Sequence, residues 1–191
     1  LGIFFLFIIF KILGLKYSIF LSGKFFRLVG PFFRSRDLCF KNLSKAFPNK
    51  DDDQKKRIIE KMWNNYGKIF AEYVFIENFR NDKSFANKIK IENQELLKKI
   101  KSKSKPVIFI SGHFNNFELM AMQIEKSGIQ LAAIYRPLNN IFLNPIMEKI
   151  RKKYICKNQI KKGIGGLKKL IFFKNKKFST ALMIDQRVSE G

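Results

Sequence analysis

The prediction of the fold class rests on residues 106–118, PVIFISGHFNNFE. Pro106 opens an unbroken apolar run at residues 107–110, and Ser111 and Gly112 close it. A short apolar run between such breakers is typical of a strand that is buried on both faces of a parallel sheet. Residues 115–127 then have the apolar spacing of a helix, so the stretch predicts the first strand and helix of an α/β domain.

The same alternation of strand and helix continues to the end of the chain. Apolar runs at residues 131–135 and 179–184 predict two further strands, and residues 140–154 and 163–174 predict helices between them. This order predicts an α/β fold with a mixed, largely parallel sheet flanked by helices. In such sheets, active sites gather at the carboxyl ends of the strands.

The region upstream of Pro106 is predicted to be helical. An acidic run at residues 51–53 is a helix-start signal, and apolar residues then recur at helical spacing over residues 52–76. A further helix is predicted over residues 80–105, where a Lys/Ser-rich stretch leads to Pro106.

The first ten residues, LGIFFLFIIF, carry no charge, and apolar character continues to residue 33. Ten residues make a helix of only about 15 Å, roughly half the bilayer core, so a full span needs residues 1–23 or sequence upstream. The basic residues that follow, between 24 and 41, predict that the rest of the chain lies in the cytoplasm. The alternative is a buried amphipathic helix of a soluble protein.

These features predict three segments. Residues 1–33 form an N-terminal membrane anchor helix or interfacial segment, residues 34–105 form a helical N-terminal part of the catalytic domain, and residues 106–191 form the α/β core. Because the chain begins at Leu1 and ends just after a polar cluster, we expect a fragment whose core is truncated at its C-terminus.

Composition restricts the class of protein. The chain has 191 residues, of which 46% are hydrophobic, so one main core is expected and general disorder is excluded. Cys39 and Cys156 lie far apart, and His113 is the single histidine. This inventory does not support a structural zinc site, a disulfide framework or a histidine-rich metal centre, and we expect no metal or cofactor.

The charge is strongly basic, with 38 Lys and Arg against 15 Asp and Glu, a net charge of +23. Such a charge fits an anionic membrane surface or a nucleic acid. The lysines are scattered through amphipathic helical stretches, and the sequence contains no zinc finger, basic-region heptad or RNP-type aromatic strand. We therefore expect an anionic membrane surface and no nucleic acid as partner.

Three polar clusters follow the three predicted strands, at residues 111–118, 135–137 and 185–186. The first contains His113 and, five residues later, Glu118. A carboxylate that accepts from one imidazole nitrogen fixes the tautomer and leaves the other nitrogen able to take a proton near neutral pH. A histidine at a strand end can also be a capping or core residue, so the histidine alone leaves both interpretations open.

The full string of the first cluster, SGHFNNFEL, resembles the H-x4-D/E motif of the lysophospholipid acyltransferase-like superfamily. It is most similar to the lipid A late acyltransferases, the lauroyl and myristoyl transferases of Gram-negative bacteria. Further resemblance lies in IYRPLNN at 134–140, in Arg151, in the block from Gly166 to Gln186, and in NLSKAFP at 42–48 and MWNNYGKIFAEY at 62–73. The resemblance therefore covers essentially the whole chain.

The resemblance implies a glycerolipid acyltransferase-like fold and a bacterial inner-membrane enzyme at the cytoplasmic face. It implies transfer of a fatty acyl chain from acyl-acyl carrier protein to a hydroxyl of a lipid A precursor. On this chain His113 would be the general base and Glu118 its orienting partner, and Arg151 and Asp185 would complete the catalytic site. Arg136, Asn116 and Tyr135 would bind substrate.

One departure and two alternatives remain open. Arg187 follows the Asp-Gln pair where the family often has a second Asp, which weakens the third block as a catalytic signature. The same fold could act on another lipid acceptor, such as a lysophospholipid, an aminolipid or a mannosylated lipid. A basic membrane adaptor without catalysis is the alternative from a different class.

Overall fold

The computed structural model describes residues 2–185. The chain divides into two compact units, Leu1–Phe75 and Ile76–Gly191. Helices build the first unit, and the second unit contains the sheet. The predicted segment boundaries after residues 33 and 105 stay a prediction.

The first unit has three helices: α1 (Gly2–Phe33), α2 (Arg36–Ala46) and α3 (Asp52–Val74). Helix α3 begins where the acidic run predicts it, because the Asp51 side chain caps the helix by accepting from the backbone N–H of Gln54 at 2.7 Å. This confirms the long amphipathic helix that the apolar spacing predicts.

Helix α1 is not straight, because it bends sharply at Gly14. The backbone there has φ 72° and ψ 167°, a conformation that favours glycine since it lacks a Cβ atom. The hydroxyl of Ser18 donates inside the bend, where it lies 2.9 Å from the backbone oxygen of Phe10 and 2.8 Å from that of Gly14. The apolar segment is therefore two helical arms joined at a glycine.

Both arms of α1 contact the same residue of α3. The rings of Phe7 and Phe26 lie 5.6 and 5.4 Å from the ring of Phe70, centroid to centroid. In a straight helix, residues 19 positions apart would be separated by about 28 Å. The segment thus folds back as a helical hairpin, with arms of about 18 Å and about 28 Å.

The second arm of α1 approaches α3 closely through glycine. A Cβ atom added to Gly67 would lie 2.2 Å from the backbone oxygen of Ser22, and the Ser22 hydroxyl donates to the backbone oxygen of Gly67 at 2.7 Å. Gly30 similarly leaves room for the indole ring of Trp63. Because Gly67 and Gly30 lack side chains, α1 and α3 can approach each other closely at both positions.

By length and composition, α1 is apolar enough to cross a membrane, with a mean hydropathy of 2.1 in its most apolar window. Only 11% of that window is buried. The exposed apolar side chains of α1 include Phe4, Phe5, Ile8, Ile12, Tyr17, Phe20, Phe25, Leu28, Phe32 and Phe33. Such a large exposed apolar surface is typical of contact with lipid or with another protein.

The second unit alternates helices and strands. Its helices are α4 (Ile76–Asn81), α5 (Gln94–Lys103), α6 (Glu118–Lys126), α7 (Leu143–Ile150) and α8 (Ile164–Asn175), with a 3-10 turn at Lys83–Lys88 and a π-helical turn at Arg151–Ile155. Its strands are β1 (Ile108–Ser111), β2 (Leu131–Tyr135), β3 (Asn158–Lys161) and β4 (Ser179–Met183).

The four strands form one sheet in the order β1-β4-β2-β3, and every neighbouring pair is parallel. Strand β4, the last in sequence, lies between β1 and β2, with Ala181 paired to Phe109 on one side and to Ala133 on the other. This arrangement confirms the predicted α/β fold with a parallel sheet, and it brings all four carboxyl ends to one edge.

Helices cover both faces of the sheet. Gln159 faces a cavity that residues of α6 also line, whereas the next residue, Ile160, lies against Gly166 of α8. Because successive strand residues point to opposite faces, α6 and α8 cover opposite sides of the sheet.

Two expectations from the sequence are wrong. Strand β1 is not buried on both faces: it is an edge strand, and Ile108 and Ile110 are 66% and 61% exposed. Residues 80–105 are not one helix, because the Asp82 carboxylate caps a 3-10 turn by accepting from Ser84, and Asn93 has a left-handed backbone with φ 56°. Strand β3 was not predicted, since only Ile160 is strongly apolar in it.

We predict that the Gly67→Ala variant loses stability in the first unit by about 1–3 kcal/mol, because the new methyl group must displace the Ser22 backbone. Urea unfolding in detergent, monitored by Trp63 fluorescence, measures the loss. The matched control is Lys68→Ala, the exposed neighbour on the same helix, which should change stability by no more than about 0.5 kcal/mol. Equal stability of the two variants would contradict the close helix contact.

Candidate active site

His113 lies directly after β1, in the loop that leads to α6. Asp185, just after β4, holds it twice: Oδ2 accepts from the backbone N–H of His113 at 2.8 Å, and Oδ1 lies 2.8 Å from Nδ1. A carboxylate can only accept, so Nδ1 carries the proton in this bond and Nε2 of the neutral ring is the basic nitrogen. These bonds from His113, the backbone bond foremost, lower the pKa of Asp185.

Glycine before the histidine makes this approach possible. A Cβ atom on Gly112 would lie 3.2 Å from Cγ of Asp185 and 2.8 Å from the ring of Phe114. On its other side, the His113 ring meets the edge of Phe117 with centroids 4.7 Å apart. The imidazole is therefore oriented by a carboxylate and an aromatic ring.

Glu118, the first residue of α6, is paired with Arg151, the first residue of the π-helical turn. Nε and Nη2 of Arg151 lie 2.8 and 2.5 Å from Oε1 of Glu118, and the two side chains are 11% and 8% exposed. The guanidinium also lies over the ring of Tyr135, 5.6 Å from its centroid. Each charge of such a largely desolvated pair depends on the other, because removing one partner leaves the remaining charge uncompensated.

A third carboxylate, Glu148 of α7, bonds Tyr135 and was not predicted as a site residue. Its Oε1 accepts from Lys161 at 2.9 Å and from Asn144 at 2.8 Å, and it also bonds the Tyr135 hydroxyl. The bond from Lys161, foremost, outweighs burial and lowers the pKa of Glu148 to about 2. Burial, followed by the bond to Glu148, raises the pKa of Tyr135.

The sequence does contain a signal for Glu148. It is the only carboxylate between Glu125 and Asp185, in a stretch otherwise rich in lysine. A single acidic residue in such a stretch is well suited to pair with one of the neighbouring lysines. The partner of Glu148 can be identified only when β3 is known, because Lys161 belongs to that strand.

A cavity of about 230 Å³ lies at the carboxyl edge of the sheet. Five of the predicted site residues line it: His113, Glu118, Tyr135, Arg136 and Arg151. Its remaining walls are largely apolar, with Phe117, Met120, Ile134 and Leu182. The cavity therefore combines a basic imidazole, a fixed cation and room for an apolar group.

The other predicted residues lie close by in the chain. Asp185 reaches the cavity through His113, and Asn116 is buried in the loop between β1 and α6. Gln186, the last residue of the third cluster, lies outside the described residues. Among residues 2–185, no group of three His, Cys, Asp or Glu side chains is arranged to hold a metal ion.

The contacts suggest a direct test of which carboxylate orients His113. We predict that neutral His113 carries its proton on Nδ1, and that Asp185→Ala abolishes this preference. Glu118→Gln should leave the tautomer unchanged, because the Glu118 carboxylate is held by Arg151. Nitrogen-15 NMR of the imidazole measures this without assignment, since the chain has one histidine. The opposite pattern, a change in Glu118→Gln alone, would give the orienting role to Glu118.

We also predict that Glu148→Gln lowers the thermal unfolding midpoint by a few degrees at pH 6. The pKa of Glu148 is lowered from 4.5 to about 2, so its carboxylate stabilises the fold above about pH 4.5 and loses that effect as the pH falls toward 2. The difference between variant and parent should therefore shrink between these two pH values. Glu95→Gln, at an exposed ion pair with Lys98, is the control and should show little effect at any pH.

The chain is similar over 115 residues, at 25% identity, to a Shigella flexneri protein named Lipid A biosynthesis acyltransferase 2; the match covers 59% of this chain and 36% of that relative's length. It also matches the family described as bacterial lipid A biosynthesis acyltransferase over residues 1–191, its full length. On this match, the chain belongs to the bacterial lipid A biosynthesis acyltransferase family.

Proposed function

We propose that this chain forms part of a membrane-bound acyltransferase that moves a fatty acyl group from acyl-acyl carrier protein to a hydroxyl of a lipid A precursor. The observation that carries the proposal is His113, held by Asp185 at a cavity that also contains the Glu118–Arg151 pair. Membership of the family supports the reaction class.

In this mechanism His113 is the general base. Its Nε2 takes the proton of the acceptor hydroxyl as the oxygen attacks the thioester carbonyl carbon of the donor. The new carbon–oxygen bond forms first, and collapse of the tetrahedral oxyanion breaks the carbon–sulfur bond. The departing thiolate takes the proton back from the imidazolium, so no covalent acyl-enzyme forms.

Arg151 supplies a fixed positive charge in the cavity. Fixed charges of this kind stabilise an oxyanion because they need no reorganisation as the negative charge develops. Glu118 holds the guanidinium in place from one side and Tyr135 from another. Arg136 is exposed and lines the cavity, so it is suited to bind a phosphate group of the acceptor. Asn116, buried in the loop between β1 and α6, stays a proposed substrate-binding residue.

The proposed anchor is α1. Its second arm packs along α3, which carries charged residues including Glu60, Lys61 and Lys68, so the helix pair has one aqueous side. The other side of α1 is apolar and exposed. An anchor of this shape lies in the bilayer interface, and the basic residues that follow favour the cytoplasmic face of the inner membrane.

We predict that His113→Ala lowers kcat for acyl transfer by about 10²–10⁴-fold in the full-length protein, as expected for loss of a general base. Acyl-acyl carrier protein and a lipid A precursor in mixed micelles are the substrates, and lipid mass spectrometry measures the product. The control is Lys103→Ala, an exposed position on α5, which should leave kcat unchanged.

Near-normal turnover of a folded His113→Ala enzyme would remove the general-base assignment. The same assay separates the alternatives. If a lysophospholipid is acylated in place of the lipid A precursor, the protein is an acyltransferase for a different lipid acceptor. If no acyl group is transferred to any acceptor, the result supports a non-catalytic membrane adaptor. The basic charge should favour the acidic carrier protein over acyl-coenzyme A at low salt, and this preference should weaken as salt screens the attraction.

A further inference from the structure

The loop between β2 and α7 presents large apolar side chains to solvent. Ile141 and Phe142 are 75% and 78% exposed. Exposed apolar residues at adjacent positions are unfavourable in water and call for an explanation.

This loop is held in shape by its own polar side chains. Oδ1 of Asn140 accepts from the backbone N–H groups of Phe142 and Leu143, both at 3.0 Å. Oδ1 of Asn144 accepts from the backbone N–H of Leu138 at 2.8 Å. These backbone donors are therefore satisfied within the protein, which is what a loop needs in order to enter an apolar medium.

Two other positions place single apolar side chains at the same edge of the sheet. Phe114 lies in the loop after β1, and Ile164 is the first residue of α8, three positions after the end of β3; they are 77% and 86% exposed. Because all four strands are parallel, the segments that follow them start at the carboxyl edge, where the cavity is found. The apolar rim, defined as Phe114, Ile164 and residues 138–142, thus lies at the edge where the site is built.

The exposed charged residues at the carboxyl edge of the sheet are mainly basic. Arg136 follows β2, Lys161 is the last residue of β3 and Lys162 comes next, and all three are exposed. In the part of the chain that the structure describes, the carboxylates at this edge are each engaged by a neighbour. Their pairs are Glu118 with Arg151, Glu148 with Lys161, and Asp185 with His113. Apolar tips among basic residues complement the anionic headgroups and acyl region of a bilayer.

We propose that the apolar rim docks on an anionic lipid bilayer, as a membrane contact distinct from α1. The rim inserts side chains between lipid headgroups and sets the cavity at the bilayer surface. Entry of a lipid acceptor from the bilayer rests on the proposed function, whereas the docking itself does not. A bilayer fits the rim better than a folded partner, because separate apolar side chains on two loops and one helix start offer no continuous groove for a protein surface.

The test uses full-length protein reconstituted in vesicles of phosphatidylethanolamine and phosphatidylglycerol. Phe142→Cys is labelled with an environment-sensitive fluorophore in a Cys39→Ser background. Cys156 stays unlabelled because it is buried and burial raises its pKa to about 11. The matched control is Ser102→Cys, at an exposed position of α5.

Spin-labelled lipids should quench the label at position 142 several-fold more than the label at position 102, and its emission should shift to the blue. Ile164→Cys, labelled in the same way, is a second rim site in case the first variant misfolds, and it should behave like position 142. Circular dichroism of each labelled variant confirms folding.

Equal quenching at the rim and at position 102 would overturn the proposal. So would a blue-shifted label at position 142 that lipid spin labels do not quench, because the rim would then be covered by polypeptide, for example by an acidic carrier protein. Neither readout depends on turnover, so failure of the docking and failure of the acyltransferase assignment are distinguishable.

Discussion

The insertion of β4 between β1 and β2 is the constraint on which the site depends. His113 and Asp185 are 72 residues apart in sequence, and only this parallel pairing brings Nδ1 and Oδ1 to 2.8 Å. The same pairing sets β2 beside β4, which brings Tyr135 and the residues after it to the same edge. A change in strand order would separate the imidazole from its carboxylate while leaving every local element intact.

The electrostatics of the second unit follow from a shortage of carboxylates in a strongly basic chain. Glu118, Glu148 and Asp185 are each used at the carboxyl edge, where they hold a guanidinium, an ammonium and an imidazole. Arg151 and Glu118 are both largely removed from solvent, so removing either one would leave an uncompensated charge that costs several kcal/mol, about 3–5 in comparable buried pairs. The pair therefore fixes the turn after α7 against the start of α6.

Local patterns in the sequence predicted the elements whose signal is local. The apolar runs of β2 and β4 and the helical spacing of α3 are examples, and the strand and helix order gave the α/β class. Strand β3 was not predicted because its residues, NQIK, show no apolar alternation. The exposure of Ile108 also depends on strand order, which no periodicity reveals. The bend at Gly14 could not be predicted either, because the apolar run around it is typical of a single helix.

The candidate site shows the same division between local and non-local information. The position of His113 after a strand could be read from its neighbours, whereas its contact with Asp185 could not, because it depends on pairing across the sheet. Sequence proximity instead favoured Glu118, five residues away. The contact of Glu118 with Arg151 spans 33 residues and requires the turn at the end of α7. The predicted residues were thus largely brought together, but proximity along the chain is a poor guide to which ones bond.

A continuous set of contacts joins the apolar rim to the cavity. Asn144 accepts from the backbone of Leu138 and donates to Glu148, which also bonds the Tyr135 hydroxyl. The ring of Tyr135 lies under the guanidinium of Arg151, which Glu118 holds from the other side. Arg151 is therefore restrained from two directions. The positions of the cavity cation and of the loop that presents Phe142 are thus set by one connected set of hydrogen bonds and ring contacts.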